Sequence, residues 1–227
     1  MPSTAFELLR VGDTCGNSQN LFWRLAMVDV DAQRFAPDYQ GLVGEARQRW
    51  NAAVSGFHFN VGSGDFCSLD DAVTSLGFSS SDCGGSELGD ALAVTRLRWD
   101  DRSGELLDAD TVFNVDADLL SDRDIFRQVT MHELGHVMGL DHSDACGDSG
   151  VGTLMKSFLS PSAPRITEPT EDDIAGANQI YSRVGGSPPP DGANSCAIQP
   201  SAAPGSAAML GLPLALLVFS RRRARSK

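Results

Sequence analysis

The sequence predicts an α+β domain, and three observations carry that expectation. Short runs rich in β-branched and aromatic residues are bounded by Gly, Asp and Ser clusters, which is the pattern of strands. Longer stretches set apolar residues at helical spacing or open on capping signatures, which is the pattern of helices packed by one face. The elements follow one another as strand, helix, strand, strand, strand, helix, loop, helix, a grouping of strands and helices in one layered unit.

Residues 23–30 (WRLAMVDV) read as the first strand. The stretch 38–54 places Leu42, Val43, Ala46, Trp50 and Val54 on one face with its charges elsewhere, which predicts a helix. Residues 57–61 form a short second strand that contains His58, and residues 62–90, rich in Gly, Ser and Asp, read as loop. In 92–99, Leu92, Val94, Arg96 and Arg98 alternate with Ala93, Thr95, Leu97 and Trp99, so this is a third strand. Asp100-Asp101-Arg102-Ser103-Gly104 is a turn, and 110–115 (DTVFNV) is a fourth strand. Ser121-x-x-Asp124 has the form of a capping box and opens a second helix, expected to run to about Gly139. Residues 143–168 are a long loop. Thr170-x-x-Asp173 starts a final helix to Tyr181, with Ile174, Ala177, Asn178 and Tyr181 spaced to pack on the body.

The second helix carries His132-Glu133-Leu134-Gly135-His136-Val137-Met138-Gly139-Leu140-Asp141-His142. Two His four apart lie on one helix face, one turn from each other, where a single Zn²⁺ can be held by both. Gly139 can take φ > 0, stop the helix and turn the chain, so that His142 swings round as a third ligand. Three protein ligands leave a coordination position open, the catalytic rather than the structural arrangement. Glu133 then projects beside the metal, where it can take a proton from water. Three His, one Glu and one Gly at these positions arise by accident in roughly one chain in 10⁵ at average residue usage.

The motif is that of the metzincin zinc proteases, and it resembles the matrixin (matrix-metalloproteinase-like) branch, because Ser143 follows His142. Thr153-Leu154-Met155 resembles the family's Met-turn, which implies that Met155 lies beneath the metal as an apolar base. The resemblance covers roughly residues 20–183. It implies a metzincin/matrixin-like catalytic domain, with a twisted mixed sheet of about four to five strands and three helices. It also implies an edge strand at 110–115 that lines the cleft and pairs with substrate backbone. The implied function is a zinc-dependent metalloendopeptidase that hydrolyses extracellular proteins or peptides. One catalytic Zn²⁺ on His132, His136 and His142 serves it, with Glu133 as the base. Lys156-Ser157 stands where matrixins usually have Tyr-Pro, so the main specificity pocket does not carry over. The family's second, structural zinc uses additional His residues, and only His58 remains here. Calcium stays open: Asp100, Asp101, Asp108, Asp110, Asp116 and Asp118 are hard oxygen ligands, and a solvated acidic surface is the competing reading.

The 227 residues suffice for one domain with a proper core plus appendages, and their formal charge is −12. Arg221, Arg222, Arg223, Arg225 and Lys227 close the chain, so the remainder is more acidic still, which argues against nucleic-acid binding. Five cysteines, Cys15, Cys67, Cys83, Cys146 and Cys196, form no CxxC pair. Cys67 with Cys83 is the first choice for a disulfide, and Cys15 with Cys146 is then the remaining pair. Four Cys allow three connectivities, and reduced buried thiols are the alternative. Disulfides would place the domain in an oxidising compartment.

Residues 1–19 are an N-terminal segment without a basic start or a continuous apolar run, so either export uses another route or the true start lies upstream of Met1, and the membrane-linked reading of the other end favours the second. The domain at 20–183 is followed by a Gly/Pro-rich linker, 184–196, and by a tail, 197–227. Residues 197–219 hold no charge, and as a helix they would span about 35 Å. The Arg cluster behind them fits the positive-inside rule. Cys196, the apolar run and the Arg cluster resemble bacterial C-terminal sorting tails of the MYXO-CTERM kind. That resemblance implies a secreted or cell-surface bacterial protein, transmembrane through its tail before processing. The expected partner is a protein or peptide substrate, and the expected state is a monomer. The rival from another class is a zinc-stabilised cell-surface binding module, an adhesin without turnover. A third reading is an esterase or amidase.

Overall fold

The computed structural model describes residues 7–9, 20–144, 152–160, 163–181 and 212–213. In chain order the elements are β1 (Glu7–Leu8), β2 (Met27–Asp31), α1 (Pro37–Ala53), β3 (His58–Val61), β4 (Val73–Ser79), β5 (Ala93–Trp99) and β6 (Leu106–Asn114). Then follow α2 (Arg123–Val137), β7 (Leu140–Asp141), β8 (Phe158–Leu159), α3 (Glu171–Tyr181) and β9 (Leu212–Pro213). A mixed sheet of five strands in the order β3-β2-β4-β6-β5 carries the three helices, the α+β architecture the sequence predicts. All neighbours are parallel except β5, which runs antiparallel to β6 at one edge.

The first helix follows its periodicity. Leu42, Val43, Ala46 and Trp50 are buried, Pro37 sits in the first turn where its missing N–H costs nothing, and Val54 is buried just beyond the end. Trp50 Nε1–H donates to Met131 O at 2.9 Å and so ties α1 to α2. The strand expected at 23–30 begins only at Met27, because Trp23 to Ala26 turn, with Ala26 at φ 50° and its N–H on Trp23 O.

Two expectations are corrected. Residues 62–90 are not all loop: β4 lies inside them as the central strand, between β2 and β6. Its flanks are rich in turn residues, and its own Gly77 lowers the strand signal. The structure explains that glycine, since a Cβ there would stand 2.8 Å from the Phe66 ring laid over the strand. The second correction concerns residues 110–115. Residues 110–114 are the end of β6, an interior strand, and the edge strand beside it is β5. The sheet order that decides this is a long-range pairing, which a single strand's sequence does not contain.

Loops on the far side of the sheet are fastened to β5 and β6. Cys67 and Cys83 form a disulfide, as the sequence suggested. The buried Arg96 guanidinium meets the buried Asp82 carboxylate at 3.0 Å. Cys15, Cys146, Cys196, the linker and nearly all of the tail lie outside the described residues. Of the apolar segment, Leu212–Pro213 pairs antiparallel with β8. Among the described residues no helix is long and apolar enough to cross a membrane.

Candidate metal centre and active site

The site is built on α2 and the turn that ends it. Asp122 caps the helix, its carboxylate accepting the N–H groups of Asp124 and Ile125 at 2.9 and 3.2 Å. The start is thus one residue later than the capping box at Ser121 implied, and Ser121 Oγ instead donates to Asp118 O inside a preceding 3₁₀ turn. At the other end, Trp23 Nε1–H donates to Val137 O and Tyr181 O–H to Met138 O, both at 2.7 Å. Two buried aromatic donors therefore satisfy carbonyls that the last turn of a helix leaves open. Gly139 has φ +101°, and a Cβ there would lie 2.7 Å from Leu21 O, so only glycine makes the turn. The strand β7 follows at once, held by β1 on its free side through the pairs Glu7↔Asp141 and Leu8↔Leu140. His142 is its next residue.

This turn brings the three predicted ligands together. His136 Nε2 is 3.0 Å from His132 Nε2 and 3.2 Å from His142 Nε2. His132 Nδ1 lies 2.9 Å from Leu154 O, and His136 Nδ1 lies 2.8 Å from Leu140 O. A carbonyl can only accept, so both Nδ1 atoms carry the proton and both Nε2 atoms present bare lone pairs to the centre. Burial holds His132 down to about 3, His136 well below its ordinary value and His142 down to about 4, so all three are neutral near pH 7. Lone pairs that converge without a proton between them repel one another, and a cation in their midst removes the repulsion. Three neutral imidazoles converging in this way fit Zn²⁺. Among the described residues, this is the one place where three His, Cys, Asp or Glu ligand atoms converge within 4.8 Å.

Glu133 is fully buried beside them. Thr95 Oγ1–H donates to its Oε2 at 2.6 Å, while Oε1 has no hydrogen-bond partner. Burial pushes the Glu133 carboxyl up to about 8, against the opposing pull of the Thr95 bond. Met155 is buried under α2, where a Cβ at Gly135 would collide with its Sδ. The glycine in the motif is therefore required by the methionine beneath it.

Sequence reasoning did not find the groups that hold these residues in place. Leu154 O orients His132, and Ser143 N–H donates to Met155 O at 2.9 Å. The Asp173 carboxylate was expected only as half of a capping box with Thr170, which it does form. It also accepts the N–H groups of Leu154 and Met155 at 3.1 and 3.2 Å, and so binds the Met-turn to α3. Asp173→Ala leaves these donors buried without an acceptor and is expected to cost about 2–4 kcal/mol of stability in chemical denaturation. A cost under about 1 kcal/mol would show that the turn is held by other contacts.

His58 is exposed on β3 near Asn51 and is not among the ligands. Three of the six acids considered for calcium accept hydrogen bonds within the fold. Asp108 accepts the N–H groups of Asp71, Ala72 and Ala109, Asp110 accepts Ser75 N–H and Oγ–H, and Asp100 accepts the N–H groups of Arg102 and Ser103.

The Matrixin family model, of peptidase family M10, matches residues 17–182. No curated protein matches the chain. Among solved structures, the chain is similar to High choriolytic enzyme 1, a hatching enzyme zinc-protease from Oryzias latipes (medaka fish). The identity is 11% and the TM-score 0.42, over 71% of this chain and 94% of that one.

Proposed function

The chain belongs to the matrixin family of zinc metalloproteases, and on that premise we propose that it is an endopeptidase in which Glu133 is the general base. The observation that carries this reading is the convergence of three imidazole Nε2 atoms, those of His132 and His136 with bare lone pairs, beside a buried carboxylate with one oxygen unpartnered. Bound by His132, His136 and His142, zinc would act as a Lewis acid, lowering the pKa of water toward about 7 and polarising a carbonyl. Glu133 takes a proton from water as the water oxygen bonds to the peptide carbon. It then delivers that proton to the leaving nitrogen as the C–N bond breaks.

The edge strand β5 orients the substrate. Asn114 N–H donates to Leu92 O at 2.9 Å, which makes Leu92 and Asn114 a hydrogen-bonded pair. Alternation along the register then turns the backbone N–H and C=O of Ala93, Thr95 and Leu97 away from β6, toward the side where an extended peptide would add as a strand. Among the described residues no strand occupies that side.

The test is a peptide-library cleavage profile of the purified full chain, with and without chelator. Cleavage at defined positions that stops with chelator and returns with zinc supports the reading. Binding of peptides without any cleavage would favour the surface binding module. That rival already has a cost against it, because a scaffold gains nothing from a buried carboxylate whose second oxygen is unpaired.

The substrates we propose are extracellular proteins or peptides, and the location is the bacterial surface or the medium. The uncharged run 197–219 and the Arg cluster that follows support this. Deletion of residues 196–227 is expected to leave cleavage unchanged and to abolish retention at the cell surface. Unaltered retention would remove the tail from that role.

A further inference from the structure

We infer that Thr95, backed by Thr111, is a positioning residue for Glu133 that assigns proton transfer to one carboxylate oxygen, Oε1. The inference rests on Glu133 being the base, as proposed above.

Thr95 and Thr111 are register partners on β5 and β6. They fall between hydrogen-bonded pairs of the ladder, so theirs is a non-hydrogen-bonded pair, whose side chains stand closer than those of its neighbours. Both side chains are buried, and their Oγ1 atoms are 2.8 Å apart. From there Thr95 Oγ1 reaches Glu133 Oε2 at 2.6 Å. Each hydroxyl has one proton to give, and Glu133 in the ionised form that a base requires has none. Thr95 must therefore spend its proton on Glu133, and the bond between the two threonines must use the proton of Thr111. In that ionised form of Glu133 the chain runs from Thr111 to Thr95 to Glu133.

The arrangement exceeds what two buried hydroxyls need. Thr95 and Thr111 satisfy each other without any carboxylate, so burial alone does not explain the reach to Glu133. Their β-branched side chains are stiff about χ1, and each is fixed to a strand rather than a loop. Glu133, by contrast, has three torsions to freeze, and its carboxylate is itself a competent zinc ligand one residue from His132. A hydrogen bond at Oε2 limits both freedoms. It restrains the carboxylate from swinging onto the metal, and it makes the two oxygens inequivalent. Oε1, which has no partner, is left to accept the proton from water and return it to the leaving nitrogen.

The test uses the zinc-loaded full chain and a quenched fluorescent peptide that the wild type cleaves. Thr95→Val keeps the shape and removes the hydroxyl. It is expected to lower kcat about 10- to 100-fold, the usual worth of a hydrogen bond to a charged group, with KM unchanged within about twofold. Thr95→Ser restores the hydroxyl and should recover kcat to within about threefold of wild type. Thr111→Val removes only the second hydroxyl and should lower kcat about 3- to 10-fold.

Two readings independent of turnover accompany these. Zinc content should stay at the wild-type value in all three variants. The drop in Tm caused by Thr95→Val should shrink when Glu133 is already Ala, because the two residues are coupled. Wild-type kcat in Thr95→Val, while Glu133→Ala is inactive, overturns the positioning role and leaves the base assignment standing. Activity in Glu133→Ala overturns the base assignment itself. Should Thr95→Val fail to fold, Thr111→Val decides: wild-type kcat there overturns the inference, and a selective loss of kcat upholds it.

Discussion

Glu133→Ala is expected to keep its zinc and to lose proteolysis by several orders of magnitude. Zinc is retained because the ligand atoms are the three Nε2 atoms, and the Glu133 carboxylate is engaged by Thr95 instead. General acid–base assistance alone is typically worth about 10²–10⁴. Loss of water positioning adds to that. In metal-free protein stability should not fall, because Glu133 is fully buried with its carboxyl pushed up to about 8, so near neutral pH its ionisation is penalised. The sign follows from linkage: a folded pKa raised above the ordinary carboxylate value contributes stability at low pH that is lost as pH rises through about 8. In metal-free protein the alanine variant should therefore gain most over wild type above pH 8, measured by thermal melts across pH. Cleavage rate, zinc content and affinity for an uncleavable peptide belong on one preparation of this variant. Unchanged cleavage would remove Glu133 from the mechanism.

His136→Ala is expected to have the opposite profile, losing both zinc and stability. His136 is the central ligand, since its Nε2 contacts those of both His132 and His142. Without it two imidazoles remain, too few for a tight site. Metal that binds only the folded state at 1,000 times its dissociation constant contributes about 4 kcal/mol. Its loss should lower Tm by on the order of 10 °C for a domain of this size. Chelator should lower the Tm of the wild type by a similar amount and leave the variant unaffected. A full complement of zinc in His136→Ala would contradict the ligand assignment.

The site was legible in the sequence to the extent that it is local. His132, Glu133 and His136 share one helix, where spacing alone sets the face. His142 follows because Gly139 forces the turn, and Met155 followed from the resemblance. The groups that hold these residues belong to other elements. Thr95 reaches Glu133 because β5 is antiparallel to β6 in one particular register, and β6 is buried beneath α2. Neither register nor sheet order is written in the pattern of one strand, which is why the cleft edge was expected at 110–115 and lies at β5. Asp173 shows the same limit. Its capping role is local and was legible, whereas its grip on Leu154 and Met155 depends on where α3 packs. The central strand β4 was missed because turn-forming residues surround it and Gly77 interrupts it. Its place comes from packing between β2 and β6, not from propensity.

The measurement that tests the account most directly is a zinc titration of the metal-stripped full chain, followed by hydrolysis of a peptide that the native chain cleaves. Three convergent, neutral imidazoles define one site, so cleavage should be absent at the start and rise with added zinc. It should reach a plateau at about one ion per chain. Cleavage by the stripped chain before any zinc is added, or a plateau only near two ions per chain, would contradict a single zinc held by His132, His136 and His142.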